Sequence, residues 1–310
     1  MYSLFHKTKT FLKLLASNKR EDIHDAIIPY RIRIKSLVRS RFRLSQKPYV
    51  FMDMLEIPVT AKCTLRCKHC ANLMQYYKNP QHVAFEQIRR DFLAAMNSVD
   101  FVGTVSILGG EPFTYPFLPR LLRLLAMKRG KMDTIMIVTN GTIIPKPSVL
   151  HSIYKAGAIV HISDYGALSR RKDDLIHALK EHKIPYRVRR YMWKIQSAIL
   201  PEPDVNSEIT RKKHSACTMR CSSLLNGRLY SCPFLANGDV LGVFPLSPEN
   251  YVDILDTDEE NNRAQMLRFI ERSVVPPGCA YCSGNDGNGA TIIPAEQTSS
   301  PIPYLRYDRK

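Results

Sequence analysis

Short apolar runs alternate with helix-spaced apolar positions through residues 50–190. Runs typical of buried strands lie at 52–57, 104–108, 135–138, 158–162 and 186–190. Between them, apolar residues recur every three or four positions, which predicts helices at 84–97, 117–126, 148–156 and 173–182. Strands that alternate with helices build right-handed units around a parallel sheet. The pattern therefore predicts an α/β fold with these five strands and a sixth within the poorly patterned residues 191–215.

Polar residues follow the predicted strands at their carboxyl ends. Such a sheet predicts an open, partial TIM-type (β/α)6 barrel, in which chemistry lies at those ends. Asn140 follows the third strand, Ser163 and Asp164 follow the fourth, and Arg189 and Arg190 end the fifth. One arginine can hold a carboxylate or phosphate in bidentate geometry, while its neighbour faces the other way as a surface charge. Ser163 and Asp164 bind a ligand in one interpretation and cap the strand in the other.

The chain of 310 residues has room for one large α/β domain and a smaller one. Its formal net charge is +17, and residues 1–50 hold twelve Lys or Arg against three Asp or Glu. This basic N-terminal extension either attracts an anionic surface, nucleic acid or phosphorylated substrate, or packs on the barrel as a solvated helical piece. No stretch approaches the roughly eighteen apolar residues of a membrane span. The eight cysteines cluster in short motifs, which favours a reducing, cytoplasmic setting.

Three cysteines follow the first predicted strand, in the run Cys63-Thr-Leu-Arg-Cys67-Lys-His-Cys70. Iron–sulfur clusters normally take four thiolate ligands, so a C-x3-C-x2-C triplet leaves one iron open to a small molecule. The alternative is half of a zinc site completed by another Cys or His, because zinc pairs have similar spacings.

A second motif, Leu108-Gly109-Gly110-Glu111-Pro112, ends the second predicted strand. Its glycines allow the backbone to approach a ligand, and its carboxylate suits an ammonium group. Together the two motifs resemble those of the radical S-adenosylmethionine (SAM) enzymes. The resemblance implies a four-iron four-sulfur cluster whose open iron binds SAM, and a partial barrel around it.

The resemblance also implies cofactor contacts outside the cysteines. His69 is expected beside the adenine, and the loop 109–112 is expected to hold the SAM amino group. Asn140, Ser163 and Asp164 are expected to contact the ribose or carboxylate of SAM.

Beyond residue 215 the pattern changes to short β segments. The dipeptides Asn226-Gly227 and Asn237-Gly238 flank 228–230 and 240–241, which predicts a hairpin. A helix is predicted at 261–272. Four cysteines frame this region: Cys217, Cys232, Cys279 and Cys282. The arrangement resembles the Twitch form of the SPASM domain, which implies one auxiliary four-iron four-sulfur cluster, and a structural zinc ribbon is the alternative.

Cys221 is the cysteine left over. It can replace Cys217 as a ligand or be a small buried residue. The resemblance to radical SAM epimerases implies a third role, donation of a hydrogen atom to a substrate radical. The predicted domains are the basic extension 1–50, the barrel 51–215, the auxiliary domain 216–290 and a C-terminal tail 291–310.

The resemblance implies the first two of three candidate functions, and the basic charge and the cysteine spacing suggest the third. The first is a radical SAM enzyme that epimerises or oxidises a sugar or nucleotide-linked sugar, with electrons from a donor such as flavodoxin or ferredoxin. The second is the same chemistry on a peptide or a partner enzyme. The third is a zinc-stabilised, basic nucleic-acid-binding module, which would show steeply salt-dependent affinity.

Overall fold

The computed structural model describes residues 49–190, 192–204, 206–256 and 258–307. Among these, the residues from Met52 onward belong to one compact unit. The basic extension predicted at 1–50 lies outside the described residues except for its last two positions, so its anionic contact stays a prediction. Across the described residues, no helix combines the length and hydrophobicity needed to cross a bilayer.

The five predicted strands and four predicted helices of the barrel are all present. The strands are β1 (Phe51–Thr60), β2 (Phe101–Gly109), β3 (Met132–Thr139), β4 (Ile159–Ser163), β5 (Tyr186–Arg189), β6 (Trp193–Lys194), β7 (Cys221–Leu225), β8 (Arg228–Tyr230), β9 (Tyr251–Asp253) and β10 (Thr291–Ile292). The helices are α1 (Phe85–Ser98), α2 (Leu118–Met127), α3 (Pro147–Lys155), α4 (Lys172–Glu181), α5 (Ser207–Ala216), α6 (Pro233–Leu241) and α7 (Glu259–Ile270). The fold class is therefore α/β, as predicted.

Eight strands form one open sheet in the order β5-β4-β3-β2-β1-β7-β8-β9. β2 to β5 are parallel, and β7 runs parallel to β1. β8 and β9 extend the sheet in antiparallel fashion. Because β5 and β9 remain at opposite edges of this sheet, the barrel is partial in the part of the chain that the structure describes.

The sixth parallel strand is not where the sequence pattern suggested. In residues 191–215, the only strand described is β6, which pairs with β10 in a separate two-stranded sheet. The polar helix α5 follows, begun by Asn206, whose side chain accepts from the backbone of Glu208 and Ile209. The strand that extends the parallel set is β7, on the far side of β1.

The predicted C-terminal hairpin is half correct. Asn226 and Gly227 form its turn between β7 and β8, both with positive φ, as a type I′ turn requires. Asn237 and Gly238 are instead buried inside α6, so the strand predicted at 240–241 is wrong. Pro233 is the first residue of this helix. The helix is buried over consecutive residues, Pro233 to Asp239, so it lacks the alternation of buried and exposed residues that is typical of a strand.

The two faces of the parallel sheet differ in polarity. One face is apolar and fully buried: Val105, Ile107, Ile135, Ile137, Val160 and Ile162. Right-handed crossovers place α1 to α4 on one side of the sheet, so these helices cover the apolar face. The opposite face carries polar pairs in register, Thr104 beside Thr134, His161 beside Arg187 and Ser163 beside Arg189. The concave side of the partial barrel is therefore polar.

Candidate functional site

Cys63, Cys67 and Cys70 are free thiols in the loop that leaves β1. Burial raises the pKa of Cys63 to about 12 and that of Cys67 to about 12, and the charge of Cys70 adds to both shifts. Thiols that raise each other's pKa lie close together. Since thiolates gathered there repel one another, the site favours a positively charged metal group that pairs with them. His69 is half-buried between Cys67 and Cys70, and its place beside an adenine stays a prediction.

The glycine loop packs against the backbone that leads into the cysteines. The Gly110 N–H donates to the Thr60 carbonyl at 2.7 Å, and the Glu111 N–H donates to the Lys62 carbonyl at 2.8 Å. A Cβ on Gly109 would lie 2.2 Å from the Thr60 oxygen, and φ at Gly109 is +143°. The glycines are therefore needed for contact with residues 60–62, which fixes the start of the cysteine loop. Their contact with SAM stays a prediction.

Glu111 connects this loop to the end of β3. Its side chain is fully buried. One carboxylate oxygen accepts from the Phe113 N–H at 3.1 Å and the Thr139 hydroxyl at 2.8 Å, and the other accepts from the Asn140 N–H at 2.9 Å. Burial raises the pKa of Glu111 to about 7, although these three bonds oppose the shift. The observed contacts give Glu111 a positioning role, and Pro112 opens the short turn that follows it.

Asn140 links the end of β3 to the cysteine loop. Its Nδ2 donates to the Thr64 hydroxyl at 3.0 Å and approaches the Cys63 sulfur at 3.6 Å. Its Oδ1 accepts from the backbone and hydroxyl of Thr142 at 3.1 and 2.6 Å. The Leu65 N–H also points to the Cys63 sulfur, at 3.5 Å. N–H groups directed at sulfur fit a metal-bound thiolate. Thr64 and Thr142 were not anticipated, because single threonines in loops carry no sequence signal.

The segment after β4 faces the same loop. Asp164 accepts from the Gly166 N–H at 2.9 Å and from Lys172 Nζ at 3.1 Å. Burial would raise the pKa of Asp164, but these two partners outweigh it and hold the pKa below its ordinary value. Tyr165 bonds to the Ser163 side chain, and burial together with the nearby charges of the cysteine triplet raises the pKa of its phenol. Tyr165 therefore lies near the thiols, just beyond the carboxyl end of β4.

The two candidate arginines lie in different environments. Arg189 is half-buried at the end of β5, in register with Ser163 on the polar face. Arg190 is exposed beyond the strand, and its charge contributes to the lowered pKa of Asp164. The expectation that they face different sides is consistent with this arrangement, and Arg189 is the one on the concave side.

The second cysteine group lines one small cavity. Its lining includes all four predicted cysteines, Cys217, Cys232, Cys279 and Cys282, together with the basic residues Lys213 and Arg272. Burial and the neighbouring thiols raise the pKa of Cys279 to about 12 and that of Cys282 to about 11. In the described residues, no three His, Cys, Asp or Glu side chains converge as closely as a single metal ion requires.

Cys221 lies near the second cysteine group, because the charge of Cys232 adds to the effects of burial and of Glu56 in raising its pKa. It lies on β7 in register with Met54, and it lines a different cavity from the four cysteines. Glu56 hydrogen-bonds to Cys221 and to the Ser223 hydroxyl, the latter at 2.9 Å. Met54 is six residues before the carboxyl end of β1 at Thr60, roughly 20 Å along the strand. This depth favours a buried structural thiol, and hydrogen donation by Cys221 stays a prediction.

A large groove borders the start of the first cysteine loop. It has a volume of about 1050 Å³ and is lined by Pro58, Thr60 and Ala61 and by parts of 76–87, 225–241 and 301–306, with no cysteine among these residues. Three tyrosines line it, Tyr76, Tyr77 and Tyr304.

A family model for the radical SAM superfamily matches residues 57–164. This stretch contains the first cysteine triplet, the glycine loop, Asn140 and the segment after β4. Residues 57–164 are a radical SAM domain. The match ends before Cys217, so it does not bear on the second cysteine group.

Known proteins with similarity to this chain include GTP 3′,8-cyclase of Chlorobaculum tepidum, 29% identical over 106 residues. That match spans 34% of this chain and 30% of the cyclase, so this chain aligns with less than a third of the relative. Among solved structures, native anSMEcpe with bound AdoMet has 13% identity and a TM-score of 0.48, with 78% of this chain and 93% of that chain covered. BtrN in complex with AdoMet and 2-DOIA has 19% identity and a TM-score of 0.46, with 82% and 100% covered.

Proposed function

We propose that this chain is a radical SAM enzyme in which Cys63, Cys67 and Cys70 hold a four-iron four-sulfur cluster. With SAM bound and one electron from a flavodoxin- or ferredoxin-type donor, this site would supply the reductive cleavage of SAM to methionine and a 5′-deoxyadenosyl radical, which would take a hydrogen atom from a substrate C–H bond. The observation that carries the proposal is the packing of the glycine loop on residues 60–62. This packing holds the loop with the three thiols, whose charges raise the pKa of Cys63, at the carboxyl ends of β1 and β2.

The surrounding residues hold this loop in a fixed shape. Glu111 joins the glycine loop to β3, and Asn140 joins β3 to Thr64 and to the Cys63 sulfur. Such outer contacts orient metal ligands and tune the metal. Tyr165 lies where it can limit water at the thiols, since its ring is half-buried and packs edge-on against Trp193 at 5.5 Å.

The second proposal is an auxiliary four-iron four-sulfur cluster of the Twitch type at the four-cysteine cavity. Four thiols lining one cavity support it, and so do Lys213 and Arg272, whose positive charges lower the pKa of Cys279 against the effect of burial. With all four irons held by protein, this site has no open position for a substrate. We assign it to electron transfer to or from the substrate radical.

For the substrate we propose a sugar, free or nucleotide-linked, that is epimerised or oxidised. The support is the polar concave face, which places His161 beside Arg187 and Ser163 beside Arg189. Hydroxyl-rich molecules match such a surface because hydroxyl groups both donate hydrogen bonds to and accept them from polar side chains. Arginine on this face suits a phosphate or carboxylate.

The alternative substrate is a peptide. Its support is the groove of about 1050 Å³, whose lining includes three tyrosines and three prolines, Pro58, Pro301 and Pro303. Grooves lined by aromatic side chains bind extended segments in several peptide-recognition domains.

Anaerobic reconstitution of the full chain tests the reaction class. We expect about eight irons per chain, as two four-iron clusters require, and 5′-deoxyadenosine when SAM and a low-potential reductant are added. Replacing Cys63, Cys67 and Cys70 by alanine should remove about four irons and all 5′-deoxyadenosine. Stoichiometric zinc in place of iron, with no 5′-deoxyadenosine under any reductant, would contradict the proposal and favour the nucleic-acid-binding module.

Deuterium transfer separates the two substrate classes. Perdeuterated sugars, sugar phosphates and nucleotide sugars should place deuterium in 5′-deoxyadenosine, whereas deuterated peptides should not. Transfer from peptides alone would replace the sugar proposal by the peptide alternative.

A further inference from the structure

Residues 296–298, within the predicted C-terminal tail, pair with the first cysteine loop. The Lys68 N–H donates to the Glu296 carbonyl at 2.7 Å, and the Thr298 N–H donates to the Arg66 carbonyl at 2.9 Å. Cys67 and Gln297 face each other in this antiparallel bridge. The segment is therefore part of the cysteine loop's structure, although 230 residues separate Gln297 from Cys67.

The amide group of Gln297 uses both of its ends on this loop. Its Oε1 accepts from the Arg66 N–H at 2.7 Å, and its Nε2 donates to the Cys67 sulfur at 3.4 Å. The same Nε2 donates to the Ala295 carbonyl at 2.6 Å. Ala295 is fully buried with φ of +57°, so the backbone turn that directs this carbonyl is itself fixed by packing. The amide is thus oriented at three points.

Gln297 also covers part of the Cys67 side chain. Cys67 is 8% exposed, whereas Gln297 is open to solvent on its outer side. An N–H group directed at a cluster sulfur stabilises the reduced cluster more than the oxidised one, because reduction adds negative charge. A donor in this place raises the reduction potential.

We propose that Gln297 is a positioning residue of the SAM-cleaving site, which fixes residues 66–68 and donates a hydrogen bond to the sulfur of the Cys67 ligand. This inference rests on the proposed function, because it takes Cys67 as a cluster ligand. The C-terminal segment is then a component of the site, although it lies outside residues 57–164, which the radical SAM family model matches.

Two substitutions separate the two ends of the amide. Gln297→Leu removes all three hydrogen bonds of the amide, and we expect the equilibrium constant for one-electron reduction of this cluster to fall about tenfold, which is about 59 mV for one electron. Gln297→Glu keeps an acceptor for the Arg66 N–H but no donor for sulfur, so its potential should fall at least as far. Thr298→Val is the matched control, because the Thr298 hydroxyl bonds to the Ser300 carbonyl at 2.9 Å and not to the cysteine loop.

The potential is read by EPR-monitored titration of the reconstituted full chain, using the signal that changes when SAM is added. Hydrogen–deuterium exchange of the iron-free chain gives a second reading. The Arg66 amide should exchange faster in Gln297→Leu and stay protected in Gln297→Glu and Thr298→Val.

The outcomes distinguish this inference from the proposed function. Full iron content with an unchanged potential in both Gln297 variants would overturn the inference alone. Unchanged protection of the Arg66 amide in Gln297→Leu would overturn it even if that variant binds no iron. Absence of iron from the unmodified chain would refute the proposed function, and the exchange result would still decide whether Gln297 fixes the loop.

Discussion

Replacing Glu111 by glutamine isolates the effect of one buried carboxylate on this fold. The substitution keeps the shape of the side chain but removes its charge. One carboxylate oxygen accepts from Phe113 and Thr139, and the other accepts from the Asn140 N–H. If the glutamine oxygen accepts the first two bonds, the NH2 group faces the Asn140 N–H. Two donors then lie opposite each other, and the Asn140 N–H has no acceptor. Because a buried donor without a partner costs about 1–3 kcal/mol, Glu111→Gln should be less stable than the unmodified chain at pH 5.

The size of this difference depends on pH. Burial raises the folded pKa of Glu111 from its ordinary value of 4.5 to about 7. The folded chain therefore binds more protons than the unfolded chain between these values, and its free energy of unfolding falls as pH rises. From pH 5 to pH 8 this amounts to about 2.5 kcal/mol, at 1.36 kcal/mol per pKa unit. Glutamine does not titrate, so the stability deficit of the variant should shrink by that amount.

Urea unfolding of the iron-free full chain at pH 5, 6, 7 and 8, followed by circular dichroism, measures this difference. Other titrating groups affect both proteins alike and cancel in the comparison. Glu208→Gln is the matched control, because Glu208 is exposed on α5 and pairs only at the surface with Lys212, which contributes at most about 1 kcal/mol. A stability difference between the unmodified chain and Glu111→Gln that does not change with pH would refute the reasoning.

Two further predictions concern the loop packing and the second cysteine group. Gly109→Ala should lower the free energy of unfolding in urea by about 3 kcal/mol, because the added Cβ would lie 2.2 Å from the Thr60 oxygen in a backbone conformation that suits glycine. The control is Gly130→Ala, whose added Cβ has no atom within 4 Å and should change the free energy of unfolding by less than about 0.5 kcal/mol. Equal losses of stability in the two variants would contradict this account. Cys282→Ala should lower the iron content from about eight to about four, whereas Cys221→Ala should leave about eight. A loss of iron in Cys221→Ala would reassign it as a ligand, and normal product yield from that variant would exclude hydrogen donation.

Local sequence patterns were sufficient for the first five barrel strands and for the motifs of the first site. These strands were predictable because each has apolar residues for the helix-covered face of the sheet and lies between segments with helical spacing. The cysteine triplet and the glycine loop were recognisable because each is a short motif at a fixed place relative to a strand. Both lie within the residues that the family model matches.

Patterns of this kind failed where neighbours in space are distant in the chain. β7 is a five-residue strand with polar positions, and it pairs with β1, more than 160 residues earlier in the chain, where Ser223 lies beside Glu56 and bonds to it. Asn237 and Gly238 have the composition of a turn, but burial inside α6 overrides that local preference.

The sequence by itself determined the alternation of strands and helices, the identity of the thiols and the glycines that bring the two loops together. Only the tertiary structure decided what surrounds those thiols, including Asn140 at Cys63 and Gln297 at Cys67. The physical reason is that a strand or a motif is specified by neighbouring residues, whereas a hydrogen bond to a sulfur requires the whole chain to close around it.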